Sequence, residues 1–419
     1  MKFLINNNIY IILLFAYVQI TADNKAIIIV PVADLVGAPI LTFGLAKTIK
    51  ESYETMAICG GPNHSSLGAP RIHQALFNEE VEIISIEEGK NGDDGEACIK
   101  LESSYFITIN SHKPQNLYWT RTKNLISFNK LGKKGISLEN IPPTPSFKHP
   151  HNFSDKNIII LTQPFHDAGT GQTFSAGTRF IFNPNQSNDT HFSAQIFDRF
   201  FTTFRSTLIP KKYAVIIKPQ SIQEAIHCFV ALLKRWAHCP NGIIEYVWGG
   251  SSYTGCCSDA AFELVNKIIK SGKKINVYAR NDCKKIPFCG FDCAGLILRA
   301  AQICGIPYFY KNSYTLAHHL KSIAIDEHVH EGDLIWIPGH VMIISDIAHN
   351  KLIEARGYPH GYGIVHEIEL SKVFKGIHTY AQLIHAFHMQ QPLVRYNKDG
   401  QAVEDIAKFK LLKLQSVWH

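Results

Sequence analysis

At Ser221 the spacing of apolar residues changes, and that change limits what the chain can fold into. Before it, short runs such as Ala26 to Val32, Glu82 to Ser85 and Ser104 to Ile109 alternate in character, with Gly, Asn and Pro between them. Period-two runs bounded by turn formers predict strands, and a succession of them predicts a small barrel. After it, Ile222, Ala225, Ile226, Phe229, Leu232 and Leu233 keep to one helical face. Ser221-Ile222-Gln223-Glu224 has the spacing of a capping box, so the helix begins there and stops near Cys239-Pro240.

The expected organisation follows from this texture. Residues 25–135 form a β domain, Pro142-Pro143-Thr144-Pro145 is a linker, and Asn157 to Leu161 and Thr178 to Phe182 belong to a second small β unit over 150–208. A connecting helix lies within 210–240, an α+β domain spans 241–395, and 396–419 is a peripheral tail. With 419 residues, 46% hydrophobic and 18% charged, a globular chain of two or three domains is expected. The net charge of +7 is spread along the chain. It suits loose contact with an anionic polymer and does not make a nucleic-acid site, for no basic cluster is interleaved with aromatics.

Met1-Lys2, the apolar run Ile9 to Ile20 and the polar Thr21-Ala22-Asp23 read as a signal peptide over 1–22. The run is shorter than the roughly 20 residues that a spanning helix needs. The alternative is a buried N-terminal strand or helix. No later stretch is long and uncharged enough to span, so an exported protein without membrane insertion is expected. Ten cysteines then invite a disulfide framework. Setting one aside as a nucleophile leaves nine, so at least one more thiol stays unpaired or bridges chains. Cys256, Cys257, Cys283 and Cys289 are the bridging candidates, and their spacing fits no usual zinc pattern. Neither a metal nor a cofactor is implied.

Three segments of the α+β domain carry chemistry. In Tyr246-Val247-Trp248-Gly249-Gly250 a phenol precedes two glycines that allow close approach of backbone or ligand, although a core Tyr and Trp on a strand-turn is the plainer reading. In Gly290-Phe291-Asp292-Cys293-Ala294-Gly295-Leu296 the thiol opens a helix that Gly305 and Pro307 stop. The positive end of the helix dipole favours thiolate there, and unpaired N–H groups can hold an oxyanion. His340 comes 47 residues after Cys293, opening a second apolar strand behind Pro338-Gly339. Lys351 to Ala355 is a third strand, placing Glu354 where it can orient the His340 ring. Most buried cysteines and histidines are structural, so it is the ordered set that points to catalysis.

That set, Tyr-x-Trp-Gly-Gly, then Gly-Phe-Asp-Cys-Ala-Gly-Leu, then Gly-Asp-Leu…Gly-His-Val, resembles the NlpC/P60 family of cell-wall cysteine peptidases over roughly residues 240 to 385. Arg71 to Glu79 is similar, more weakly, to a strand-turn of the bacterial SH3 domains that often precede it. The resemblance implies a papain-like α+β catalytic domain behind small SH3-like β barrels. It also implies cleavage of peptidoglycan stem peptides between γ-D-glutamate and a diamino acid. Cys293 matches the family's nucleophile, His340 its base and Tyr246 its phenol for substrate and oxyanion. Asp292 matches an acid implicated in gripping the substrate's free amine. Glu79 and Tyr118 are the nearest counterparts of side chains that an upstream SH3 domain contributes to the cleft.

The chain departs from the pattern at three places. Ala294 replaces the usual Ser after the cysteine. Glu354 stands where His, Asn or Gln is common. About 39 residues separate Gly250 from Gly290 where relatives have a few. Gly255-Cys256-Cys257-Ser258 lies within this insert at the expected distance from Trp-Gly-Gly, which makes Cys257 a rival nucleophile, and Ala260 to Lys270 reads as a helix that caps the cleft. Two other functions stay open: a catalytically idle wall-binding protein, and a papain-like amidase or acyltransferase on another γ-glutamyl or lipid substrate.

Overall fold

In the computed structural model, the described residues are 24–54, 56, 70–89, 94–107, 113–147, 157–198, 200–218, 220–240, 242–255, 288–325, 327–357 and 361–418. The expected signal peptide, Cys256, Cys257, Cys283 and the Ala260–Lys270 helix lie outside them. Three sheets organise the rest. The first has seven strands in the order Arg71–Leu76, Val32–Val36, Leu117–Arg121, Glu96–Lys100, Glu80–Glu87, Lys25–Ile28 and Leu125–Ser127. The second has five, in the order Phe204–Pro210, His191–Phe197, Arg179–Asn183, Ile158–Leu161 and Ala214–Ile216.

Neither ladder closes into a barrel among the described residues, so the SH3-like barrels expected are not found there. The outer strand Arg71–Leu76 does not close onto Leu125–Ser127. It gives its open side to the C-terminal half instead: Gln74 N donates to Ser251 Oγ at 3.1 Å, and Ser251 N donates to Gln74 Oε1 at 3.1 Å. An edge strand needs some such cover, because its unpaired N–H and C=O groups otherwise recruit another chain.

The capping box forms as its spacing predicts. Glu224 N donates to Ser221 Oγ at 3.2 Å, Ser221 N donates to Glu224 Oε2 at 2.8 Å, and the helix runs Ile222–Ala237. Its buried face, with Ala225, Phe229, Leu232 and Leu233, packs on the helix Cys293–Ile303. Every residue of that second helix is buried.

The third sheet holds His340 and Glu354, in the order Val365–Glu369, Lys351–Ala355, His340–Asp346, Leu334–Ile337 and Lys410–Leu412. Both of its faces are covered. Val341, Ile343 and Ile353 belong to the core shared with the two helices, whereas Met342, Ile344 and Leu352 belong to a core packed on the helix Tyr380–His388. Burial on both faces explains why these strands read as nearly continuous apolar runs.

The segment 396–419 is not a peripheral tail. Lys410–Leu412 pairs with Leu334–Ile337 and finishes the central sheet, and Leu411 and Leu412 are fully buried, one in each core. The α+β architecture thus rests on antiparallel sheets covered by helices. Among the described residues no helix is long and apolar enough to cross a membrane.

Candidate active site

Glycines bring the first two segments together. A Cβ on Gly295 would lie 2.0 Å from Gly250 O, and one on Gly250 would lie 2.5 Å from Gly290 O, so no side chain fits at either. Phe291 bridges both Tyr246 and Ser251, with Val247 N donating to Phe291 O at 3.1 Å and Asp292 N to Gly250 O at 3.1 Å. Phe291 stacks on Trp236 of the connecting helix at 4.9 Å between ring centres. Asp292 then caps the cysteine helix, its Oδ1 accepting from Gly295 N at 2.5 Å. Cys293 is thereby held as the first residue of a rigid, buried helix.

His340 opens its strand after a turn in which Gly339 adopts φ 78°, a left-handed conformation suited to glycine. Its Nε2 lies 2.8 Å from Glu354 Oε2, which leaves Nδ1 as the ring nitrogen turned away from the carboxylate. The backbone N–H of Val341, the next residue, points at the Cys293 sulfur. The sulfur therefore lies at the first turn of the helix, against the backbone N–H that follows His340 at the start of the strand. Cys293 and His340 each keep 9% of their surface, so the pair is reachable but nearly dry.

That dryness sets the resting charges. Burial, with the Asp292 charge adding to it, pushes the Cys293 thiol up to about 12, against the N–H groups of Val341 and Ala294 and the Lys311 ammonium. Burial and the Arg395 guanidinium bring His340 down to about 4, although Glu354 works the other way. The resting pair is thus thiol and neutral imidazole. This corrects the thiolate expected from the helix dipole: the dipole is worth about 1 kcal/mol, and desolvation of a buried charge outweighs it.

Glu354 sits in a charged nest. Arg395, from the strand Leu393–Tyr396, closes on its Oε2, and His366 Nε2 is 3.4 Å from its Oε1. Burial would raise this carboxyl, but Arg395, His340 and His366 together hold it well below the usual carboxylate range. Tyr246 is buried in the same core as Cys293, and its ring rests against Gly357, where a Cβ would come within 3.2 Å.

The other expected site residues are placed differently. Asp292 is engaged from inside: Lys311 Nζ, itself buried, reaches its two oxygens at 2.9 and 2.7 Å. Glu79 is a correction, for it is buried and paired with Arg299 Nη1 of the cysteine helix at 2.8 Å and forms no cleft wall. Tyr118 is another, fully buried with its hydroxyl 2.9 Å from Ser104 Oγ. Glu79 is buried where the first sheet meets the Cys293–Ile303 helix, whereas Tyr118 is buried within the first sheet's own core, against Phe106 and His73. Cys289 keeps a titratable thiol beside Thr254 and Ser252, pushed up by burial, so it is not the bridging cysteine expected. Cys239, which was not singled out, is disulfide-bonded.

Sequence reasoning missed Lys311, Arg395 and His366. A signal existed for Arg395, because alternation in Leu393-Val394-Arg395-Tyr396 puts it on the buried face with Leu393, where a charge needs a partner. Among the described residues no group of three or more His, Cys, Asp or Glu is placed to hold a metal.

No protein-family model and no curated relative matches the sequence. Among solved structures, an NlpC/P60 endopeptidase from Photobacterium damselae subsp. piscicida is similar over 95% of this chain and 75% of its own, at 11% identity and a TM-score of 0.42.

Proposed function

We propose that the chain is an exported cysteine peptidase of the NlpC/P60 type that hydrolyses peptidoglycan stem peptides, at the bond between γ-D-glutamate and the diamino acid. The observation that carries this reading is Cys293 at a helix start, its sulfur against the Val341 N–H, next in sequence to a His340 whose Nε2 is engaged by Glu354. Because the resting pair is neutral, proton transfer accompanies attack. His340 Nδ1 takes the thiol proton as the sulfur adds to the scissile carbonyl, and Glu354 supports the imidazolium that forms. The Cys293 backbone N–H and the Tyr246 phenol hold the oxyanion. His340 then protonates the leaving amine, and a water, deprotonated by His340, hydrolyses the thioester and restores the thiol.

An idle wall-binding protein is the second reading, favoured by a thiol pushed up to about 12. Digestion of purified peptidoglycan, with fragments weighed by mass spectrometry, separates the two. The peptidase releases fragments that begin with the diamino acid, and Cys293→Ala abolishes them while the protein melts as before. Unchanged turnover in that variant moves the nucleophile elsewhere, and no fragments from the parent protein leaves the binding role.

A further inference from the structure

A cavity of about 260 Å³ opens where the edge strand Ala214–Ile216 faces the helix Ile222–Ala237 and the C-terminal end of the cysteine helix. Its floor is mostly apolar: Leu232 and Ile303 are buried there, with Cys304 and Thr162 beside them. Its rim is basic. Lys218, His227 and Arg235 line it and are exposed, and no Asp or Glu is among its described lining residues. Basic groups elsewhere on the same helix are matched: Lys234 Nζ lies 3.8 Å from Asp346 Oδ2, and His238 Nε2 lies 2.9 Å from Glu367 Oε2. Arg235 and His227 have no ion-pair partner among the described residues. The Oε2 of Glu224, one turn before His227, is taken by Ser221 N and Oγ at 2.8 and 2.9 Å.

Floor and rim ask for different things of one ligand. The floor favours a hydrocarbon group, by about fourfold in affinity for each methylene taken out of water. The rim, with no carboxylate of its own, favours an anion. A cavity of about 150 Å³ holds benzene, so this one holds a chain or ring system somewhat larger. Orientation follows from the helix end. Ile303 closes the cysteine helix, whose carbonyl end is negative, and Cys304 O already accepts from Gln220 Nε2. An anionic head is therefore kept off the floor and meets Arg235 and Lys218 at the rim. The edge strand is only three residues long, which leaves little for an added peptide strand to pair with. We propose that this cavity binds a small aliphatic carboxylate of about eight carbons, its tail on Leu232 and Ile303 and its head at Arg235 and Lys218. The site lies at the opposite end of the helix from Cys293 and stands whether or not the chain is a hydrolase.

Titration of the full chain with octanoate, followed by calorimetry, tests it. Octanoate should bind saturably at one site, and hexanoate, two methylenes shorter, about sixteenfold more weakly. Octanol and octylamine carry the same tail without the anion and should bind about tenfold more weakly. Cys228, exposed among the lining residues, serves as a reporter: octanoate should slow its alkylation by N-ethylmaleimide, located by peptide mass mapping. Arg235→Glu should weaken octanoate about tenfold and favour octylamine. Ala231→Trp fills the cavity from an exposed helical position and should abolish binding.

Octanol or octylamine binding as tightly as octanoate overturns the proposal, because the rim then selects nothing. So does octanoate that fails to saturate, or that binds Ala231→Trp unchanged. If Ala231→Trp does not melt as the parent does, Cys228 protection and Arg235→Glu still decide. An apolar peptide that protects Cys228 where octanoate does not would assign the region to strand pairing and end the carboxylate reading. Cys293→Ala should bind octanoate as the parent does, so loss of hydrolysis and loss of this site are read apart.

Discussion

Two buried networks of charge flank the end of the sheet where His340 opens its strand beside the start of the Cys293 helix, and they differ in what each leaves to offer. Toward the first sheet, Asp34 holds Arg71 Nε at 2.6 Å and Gln74 Nε2 at 2.8 Å, and Glu79 holds Arg299. Arg299 also donates to Ser251 O at 2.9 Å and Gln74 O at 3.1 Å. Each of its ion pairs joins a guanidinium to a carboxylate, with no imidazole in either pair. Toward the C-terminal half, Glu354 is likewise sealed by Arg395, but its second partner is an imidazole with another nitrogen still to use. A buried ion pair therefore becomes part of a site only where one of its members can pass a proton outward. The first network is a joint between sheet and helix; the second is an orienting device.

Substitutions can break that contrast, beginning with the largest expected effect. Arg299→Met leaves Glu79 buried without its cation, and urea unfolding should show a loss of about 3–5 kcal/mol with turnover per folded molecule little changed. A loss comparable to a surface pair, under about 1 kcal/mol, would remove the joint from the account.

Acid comes next. His340 is held neutral, down to about 4, while in the unfolded chain it titrates near 6.5. The unfolded chain thus takes up the proton first. This group's contribution is fully present above about pH 6.5, fades as the pH falls toward about 4, and totals about 3 kcal/mol. His340→Gln should flatten the stability profile between neutrality and that range; identical profiles for parent and variant would place the acid sensitivity in another group, such as the buried His73.

Third, Arg395→Met removes the cation that helps depress His340 and leaves Glu354 to raise it. The imidazole should then titrate about one unit higher by NMR, worth about 1.4 kcal/mol, whereas Arg299→Met should leave it where it was. If both variants move it alike, the networks are one. The smallest effect sets the scale. Ser221→Ala, in the capping box and outside both networks, should cost about 1 kcal/mol in thermal or urea unfolding.

Much of the local structure was legible because its causes are local. The capping box, the helix Ile222–Ala237, the helix opening at Cys293, the hairpin through Pro338-Gly339 and the strand Lys351–Ala355 all answer to spacing and turn chemistry within a few residues. Gly249-Gly250 likewise announced a close approach, although that Gly290 and Gly295 are what approaches Gly250 was only visible in three dimensions. Misreadings arose wherever the deciding partner was distant. Arg71–Leu76 looked like part of a closed barrel because nothing near it in the chain shows that Ser251 covers its edge, 177 residues away from Gln74. Glu79 looked available for a cleft because Arg299 lies 220 residues on. The last strand looked peripheral because its three residues, Lys410–Leu412, acquire meaning only beside Leu334–Ile337.

The order of apolar periods, caps and glycines was enough to determine which segments become helix or strand, and that a thiol and an imidazole would each open one. Only the tertiary structure decided their electrical state. The helix dipole is a property of the segment and argues for thiolate, but burial beneath the packed cores, the Asp292–Lys311 pair and the Glu354–Arg395 pair are properties of the assembly. A charge in a nearly dry site responds far more strongly to what surrounds it than to the element that carries it. That is why the resting pair is neutral, and why Lys311 and Arg395, silent in the sequence, set its terms.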